Sequence, residues 1–168
     1  MKTNIGISQS EIKRLLKYNP ENGIFTWAVK PSQAVNSGDI AGTKNTQGYI
    51  TILIKRKPHK AHRLAWLYMT GKIPTWVDHI NGIRDDNRWA NLRECTPQQN
   101  AINAKLRKDS SSGVKGVHWH RTHKKWIAQA SFNGRRVFLG CFLSMHEAIT
   151  ARQNFVKDNF DLRFYREN

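Results

Sequence analysis

Apolar positions recur along this chain in short bursts whose period switches between two and about 3.6, and each switch marks the edge of an element. Ser8 stands before a helical burst over 8–17, with Glu11 three residues later completing a capping-box pattern. Residues 18–23 read as a turn, and Gly23 to Trp27 starts strand character. After a glycine-rich patch from Gly38 to Gly48, residues 49–54 form a β-branched run that reads as a strand. Residues 55–58 turn it back into a second strand, and His62 to Thr70 is helical, stopped by Gly71.

The next segment has a different rhythm. Val77 to Ile80 is a short strand, residues 81–87 a polar loop, and Leu92 to Cys95 the returning strand. Thr96 as N-cap, Pro97 at the first helical position and Gln99 closing the box then start a helix. Residues 107–113 are polar and flexible in composition, a linker. Beyond them, residues 115–121 and 126–132 alternate, Asn133-Gly134 is a strong hairpin signal, and 135–142 forms a third strand. Ser144 and Glu147 make a second capping box before a helix with an apolar stripe of Ala148, Ile149, Ala151, Phe155, Val156 and Phe160. The expectation is an α+β chain in two parts. Residues 1–106 comprise an N-terminal antiparallel β-sheet region and a strand–loop–strand–helix core at 76–106. Residues 114–168 form a three-stranded antiparallel sheet covered by one helix.

Charge sharpens the picture. Among 168 residues, 28 Lys and Arg face 12 Asp and Glu, a net charge of +16. Residues 1–104 and 105–168 each carry +8, so the excess is not a basic tail on a neutral body. A polyanion contacted along the whole length is the simplest account, and nucleic acid is the expected partner. No run reaches the ~18 apolar residues of a membrane span, and residues 1–20 lack a signal-peptide stretch, so a cytoplasmic protein without a membrane partner is expected. Cys95 and Cys141 are too few for a disulfide framework and belong to no CxxC pair, which argues against thiolate zinc. No extended heptad shows, so a monomer is expected.

The chemistry concentrates in one stretch. Asp78 and His79 sit side by side, Asn91 follows the histidine by twelve residues, and Asn100 comes nine later. A carboxylate and amide oxygens are hard ligands that favour magnesium or manganese over zinc. An imidazole is a general base near neutral pH. Together they supply what phosphodiester hydrolysis requires. A regular strand would send Asp78 and His79 to opposite faces, so a twist must bring them to one phosphate.

Residues 77–104 resemble the HNH nuclease motif in its His-Asn-Asn form. The resemblance implies a ββα-metal core in which Asp78 and Asn100 hold one divalent cation, Mg²⁺ or Mn²⁺, and His79 is the general base. Asn91 would hold the loop and orient His79. Asn100 stands where many members have histidine, which leaves open whether one or both strands of double-stranded DNA are cut. Similar nucleases carry a His-Arg pair like His62-Arg63, which implies a phosphate contact for Arg63; a plain helix-surface pair is the alternative.

From Lys115 to Arg136 there are six basic residues and no acidic one, interleaved with Trp119, Trp126 and Phe132. Alternation puts Trp126, Ala128 and Ala130 on one strand face and Ile127, Gln129 and Ser131 on the other. Residues 113–160 resemble the APETALA2-type DNA-binding domain in Val114-Lys115-Gly116-Val117, Lys125-Trp126, the run 136–142 and Glu147-Ala148. That likeness implies a sheet lying in the major groove, with Lys115, His118, His120, Gln129 and Arg136 contacting DNA and Phe138 against sugar or base. The combined expectation is a site-recognising DNA endonuclease of the homing or phage type, acting in the cytoplasm of a bacterial host. The alternative is a non-catalytic DNA-binding regulator on the same scaffold. An RNA-directed protein is a third reading, disfavoured by a major-groove sheet.

Overall fold

The computed structural model describes residues 6–102, 106 and 110–161. The linker residues Arg107, Lys108 and Asp109, residues 103–105 of the expected 76–106 core and residues 162–168 of the expected C-terminal domain lie outside the described residues. The architecture mixes four α-helices with small antiparallel sheets among the described residues. The chain clusters into two compact units, Met1–Thr96 and Pro97–Asn168.

In the first unit, α1 (Gln9–Leu15) is capped by the Ser8 hydroxyl, which accepts from the Glu11 backbone N–H at 3.1 Å. The Glu11 carboxylate pairs with the Lys55 ammonium. The helix ends two residues before the expected Lys17. Leu16 is already extended and opens β1 (Leu16–Tyr18), which pairs with β2 (Phe25–Trp27). Leu16 and Tyr18 are buried and Lys17 is exposed, a two-residue alternation that the helical spacing of Ile12, Leu15 and Leu16 had concealed.

A second sheet orders β3 (Thr43–Lys44), β4 (Ile50–Ile54) and β5 (Lys57–Lys60). Its hairpin turn is shorter than the expected 55–58. Lys55 and Arg56 alone occupy it, at φ 49° and 62°, the double left-handed geometry that matches strand twist. Pro58 falls inside β5, which it can do because β5 is an edge strand and needs no inner N–H. Lys60 then leads into α2 (Ala61–Thr70), stopped by Gly71 at φ 71°. The core gathers Ile12, Leu16, Phe25, Ile52, Leu64, Leu67, Val77 and Leu92. Ile12, Leu16, Ile52 and Leu64 are fully buried, each contributing ~1.5–3 kcal/mol relative to exposure.

Packed on this core is the hairpin of β6 (Trp76–His79) and β7 (Leu92–Cys95), joined by residues 80–91. Its register is regular: Asp78 faces Arg93 and His79 faces Leu92. The twist expected to turn Asp78 and His79 toward one face is therefore not built into the strand pairing.

The second unit begins with α3 (Pro97–Ile102). Its sheet orders β10 (Arg135–Phe142), β9 (Lys125–Phe132) and β8 (Val117–His120). β8 starts at Val117 instead of the expected Lys115, because Lys115 and Gly116 form a turn. Gly116 sits at φ +77° with the position of an added Cβ only 2.1 Å from the Gln129 carbonyl oxygen, so only glycine fits there. α4 (Met145–Asn159) carries a complete Ser144–Glu147 capping box. It closes on the sheet through Ala148 against Ala128 and Val117, small residues that permit near approach.

Candidate active site and nucleic-acid interface

The loop between β6 and β7 is held together by amide side chains. Asn91 Oδ1 accepts from the Asn81 backbone N–H at 2.9 Å. Asn91 Nδ2 donates to Asn81 Oδ1 at 3.0 Å and to the Asp86 carbonyl at 2.7 Å. Asn91 is buried, so each of these bonds replaces one that water would otherwise make. Asn81 Nδ2 donates to Asp86 Oδ2 at 2.6 Å, and Arg88 grips the same carboxylate through two nitrogens at 2.8 and 2.6 Å. The Arg88 guanidinium holds the Asp86 carboxyl down at about 2.

His79 is 4% exposed. Its Nε2 lies 3.1 Å from Asn87 Oδ1, and Asn87 Nδ2 donates to the Asp85 carbonyl at 3.3 Å, which fixes the amide's orientation. An amide oxygen only accepts, so Nε2 carries a hydrogen and points it at Asn87. Asn87 is itself anchored by the Tyr18 hydroxyl, which donates to its carbonyl at 2.6 Å. Burial pushes the Tyr18 hydroxyl's pKa upward, keeping it a donor.

Asp78 takes a different partner. Its Oδ2 accepts from Arg93 Nη2 at 2.8 Å and Nε at 3.3 Å, with both side chains largely buried. Asn100 lies on α3, in the second unit, and is half-buried. Among the described residues no group of three or more His, Cys, Asp or Glu side chains gathers as a metal cluster. A carboxylate oxygen and an amide oxygen are each hard ligands of the kind that suit magnesium or manganese.

Arg63 is half-buried and donates through Nη1 to the Thr75 carbonyl at 3.1 Å. Next to it, the His62 ring meets His79 edge-on at 4.9 Å and Tyr49 at 5.2 Å. Burial, then the neighbouring His79, Lys60 and Arg63, bring the His62 pKa down to about 3. A cleft of about 390 Å³ opens beside the loop, lined by Pro20, Glu21, Asn81, Arg88, Trp89, Ala90 and Asn91.

In the second unit, strand register sorts the candidate DNA-contacting residues. Ala128 turns toward α4, and so do its neighbours across the sheet, Val117 and Gly140. The opposite face carries His118 across from Ile127, His120 across from Lys125, Gln129 across from Phe138, and Arg136 across from Ser131. Five of the six candidates thus share the helix-free face, where Phe138 is 63% exposed. Lys115 sits in the turn before β8. A bulge between Phe138 and Gly140 sets both Leu139 and Gly140 on the core side while Phe138 stays outside.

Asn87, Arg93 and Tyr18 carry no signal in a linear reading. Arg93 is reachable by setting residues 77–80 against 92–95 in antiparallel register. Asn87 and Tyr18 are joined only by the fold.

Residues 59–102 match the HNH endonuclease family. The chain is 30% identical over 82 residues to Protein 3.8 of Escherichia phage T7, a match covering 48% of this chain and 68% of that protein. It is 46% identical over 59 residues to an uncharacterised HNH endonuclease of Acanthamoeba polyphaga mimivirus, covering 33% of this chain and 29% of the relative's length. No solved structure matches the chain significantly. No helix among the described residues is long and apolar enough to cross a membrane.

Proposed function

Residues 59–102 carry an HNH endonuclease family domain, and from it we propose a metal-dependent endonuclease that hydrolyses phosphodiester bonds at a recognised site in double-stranded DNA. The observation that carries this reading is the loop at 80–91, where Asn91 ties the backbone and Asn87 sets the tautomer of His79. Nδ1 of His79 takes a proton from water as its oxygen bonds to phosphorus. The bond from phosphorus to the 3′ oxygen breaks, and that oxygen is protonated from solvent. Asp78 and Asn100 would hold a divalent cation, Mg²⁺ or Mn²⁺, in a ββα-metal core, and Arg93 holds the Asp78 carboxylate in place. When bound, the cation supplies positive charge for the leaving oxygen.

The sheet of β8, β9 and β10 is proposed to read DNA as an APETALA2-type domain does. Lys115, His118, His120, Gln129, Arg136 and Phe138 would lie in the major groove and Arg63 on a phosphate. That reading rests on the motif resemblance and on the shared helix-free face. The proposal places residues 1–106 as the cutting part and 114–168 as the reading part of a monomer. It is a homing or phage-encoded enzyme acting in a bacterial host's cytoplasm.

One observation favours the alternative of a non-catalytic regulator: the Asp78–Arg93 ion pair gives the carboxylate a structural partner. Supercoiled plasmid incubated with Mg²⁺, with Mn²⁺ and with chelator decides between them. Relaxed or linear product that requires metal supports the nuclease, and relaxed circles alone mean nicking. No product under either metal, with retained gel-shift binding, supports the regulator.

A further inference from the structure

Three cations gather around the Tyr49 ring beside His79, and no carboxylate among the described residues receives them. Lys60 Nζ sits 4.2 Å from the centre of the Tyr49 ring, and the Arg84 guanidinium carbon lies 5.0 Å from the same centre. Tyr49 in turn touches His62 and His79, with centroids 5.2 and 6.1 Å apart. Arg63, whose charge acts on both Lys60 and His62 while its Nη1 donates to the Thr75 carbonyl, completes the group. None of Lys60, Arg63 and Arg84 takes part in an ion pair among the described residues, whose neighbouring carboxylates are committed elsewhere: Asp85 to Lys44 and Asp86 to Arg88.

Like charges gathered on one patch repel, and the position makes the repulsion worse. Lys60 is the N-cap of α2, where no side chain caps the helix and the first turn holds no acidic residue. A helix N-terminus carries partial positive charge and is stabilised by anions. Burial, then Arg63 and Arg84, depress the Lys60 ammonium's pKa. A further group points the same way: Nδ1 of His62, 5% exposed, has no hydrogen-bond partner. Such an arrangement is costly in the protein alone and becomes favourable when a dianion or a phosphodiester sits on it.

We propose that Lys60, Arg63 and Arg84, laid on the Tyr49–His62 platform, form a seat for a DNA backbone phosphate beside His79. The inference rests on the nuclease reading for its substrate, but its operation is binding and not cleavage. The seat orients the strand so that a phosphodiester lies within reach of His79. It engages phosphate alone, carries no sequence information, and does not depend on a bound metal.

The test is the salt dependence of DNA affinity for the full chain in chelator, where cleavage is silent. Each cation neutralising a phosphate adds about −0.9 to the slope of log K against log salt. Lys60→Gln with Arg84→Gln is expected to weaken binding about tenfold at 100 mM salt and to flatten the slope by about one to two. The exposed pair Lys17→Gln with Lys30→Gln serves as control and is expected to leave the slope within error of wild type. An unchanged slope in the first variant, or an equal change in the control, overturns the seat. A flattened slope in a protein that cuts no DNA would leave the seat standing and overturn the nuclease, so the two failures are separable. Circular dichroism of both variants guards the comparison against misfolding.

Discussion

The loop at 80–91 and the outer face of the β8–β10 sheet are both rich in polar side chains, and they are built on opposite principles. In the loop, Asn81, Asp86, Asn87, Arg88 and Asn91 spend their hydrogen bonds on one another and on backbone. On the sheet face, Arg136, Phe138 and Ser131 stand exposed on a three-stranded support. Fixed geometry suits a group that must meet one atom at one angle, since a misplacement of about 1 Å costs rate steeply. Exposed side chains on a rigid sheet suit a surface that exchanges water for a partner. The two regions should therefore respond differently to the same kind of damage, the loop through chemistry or stability and the sheet face through recognition.

The sharpest break is at His79. Replacement by alanine should slow plasmid cleavage by about 10²–10⁴, the worth of a general base, while gel-shift affinity stays within twofold. Asn100→Ala should abolish metal-dependent cleavage with affinity likewise kept. A His79→Ala protein that cuts at the wild-type rate would sink the assignment of the base.

Asn91→Leu strikes the scaffold of the same loop. It strands the Asn81 N–H and the Asp86 carbonyl, and each unsatisfied group costs ~1–3 kcal/mol. Urea unfolding followed by tryptophan fluorescence should show about 2–4 kcal/mol lost from the first unit. Unchanged stability would mean the amide bonds do not order the loop.

Acid should find the first unit before the second. His62 is held neutral, with its pKa brought from 6.5 down to about 3. A depressed histidine gives stability that is complete above its unfolded value and is lost as pH falls from 6.5 toward 3. The slope in that window is up to about 1.4 kcal/mol per pH unit. Asp86, with an ordinary value of 3.8 lowered to about 2, acts only as pH falls from 3.8 toward 2. Between pH 6.5 and 4 the imidazole is thus separable from this carboxylate. His62→Leu should flatten the stability curve there, and an unaltered acid limb would refute the buried neutral ring.

How far these regions could be read from the linear chain follows the same divide. The second unit's elements are local: Asn133-Gly134 announces its hairpin, and Ser144 with Glu147 announces α4. Alternation alone separates Ala128 and Ala130 from Gln129, because a strand's period of two needs no knowledge of its neighbours. The loop is the reverse. Asn91, with Asp78 and His79 on the strand that leads into it, stands out by type and spacing, yet the surroundings of all three come from distant segments. Tyr18 reaches Asn87 across 69 residues, and His62 meets His79 from another element. Arg93 opposite Asp78 needs the strand register, and Asn87 looks like any polar loop residue until its 2% exposure is known. The end of α1 is hidden in the sequence for a related reason. Leu16 satisfies both helical and strand spacing, and pairing with Trp27 decides between them.

The smallest effect expected on stability belongs to the sheet face, which makes it the cleanest test of the contrast. Phe138 is 63% exposed, so Phe138→Ala removes little buried area and should change unfolding free energy by less than about 0.5 kcal/mol. Arg136→Gln, also exposed, should be equally mild. If the face reads DNA, both should lower the preference for the recognised site over random duplex, Arg136→Gln by ~1–3 kcal/mol if it meets a guanine. Competition gel shifts against random-sequence duplex measure that ratio while cleavage of non-cognate plasmid is followed in parallel. Loss of preference with cleavage chemistry intact would separate reading from cutting. Preference unchanged in both variants would leave the exposed face without a recognition role, and the discrimination would have to come from the first unit.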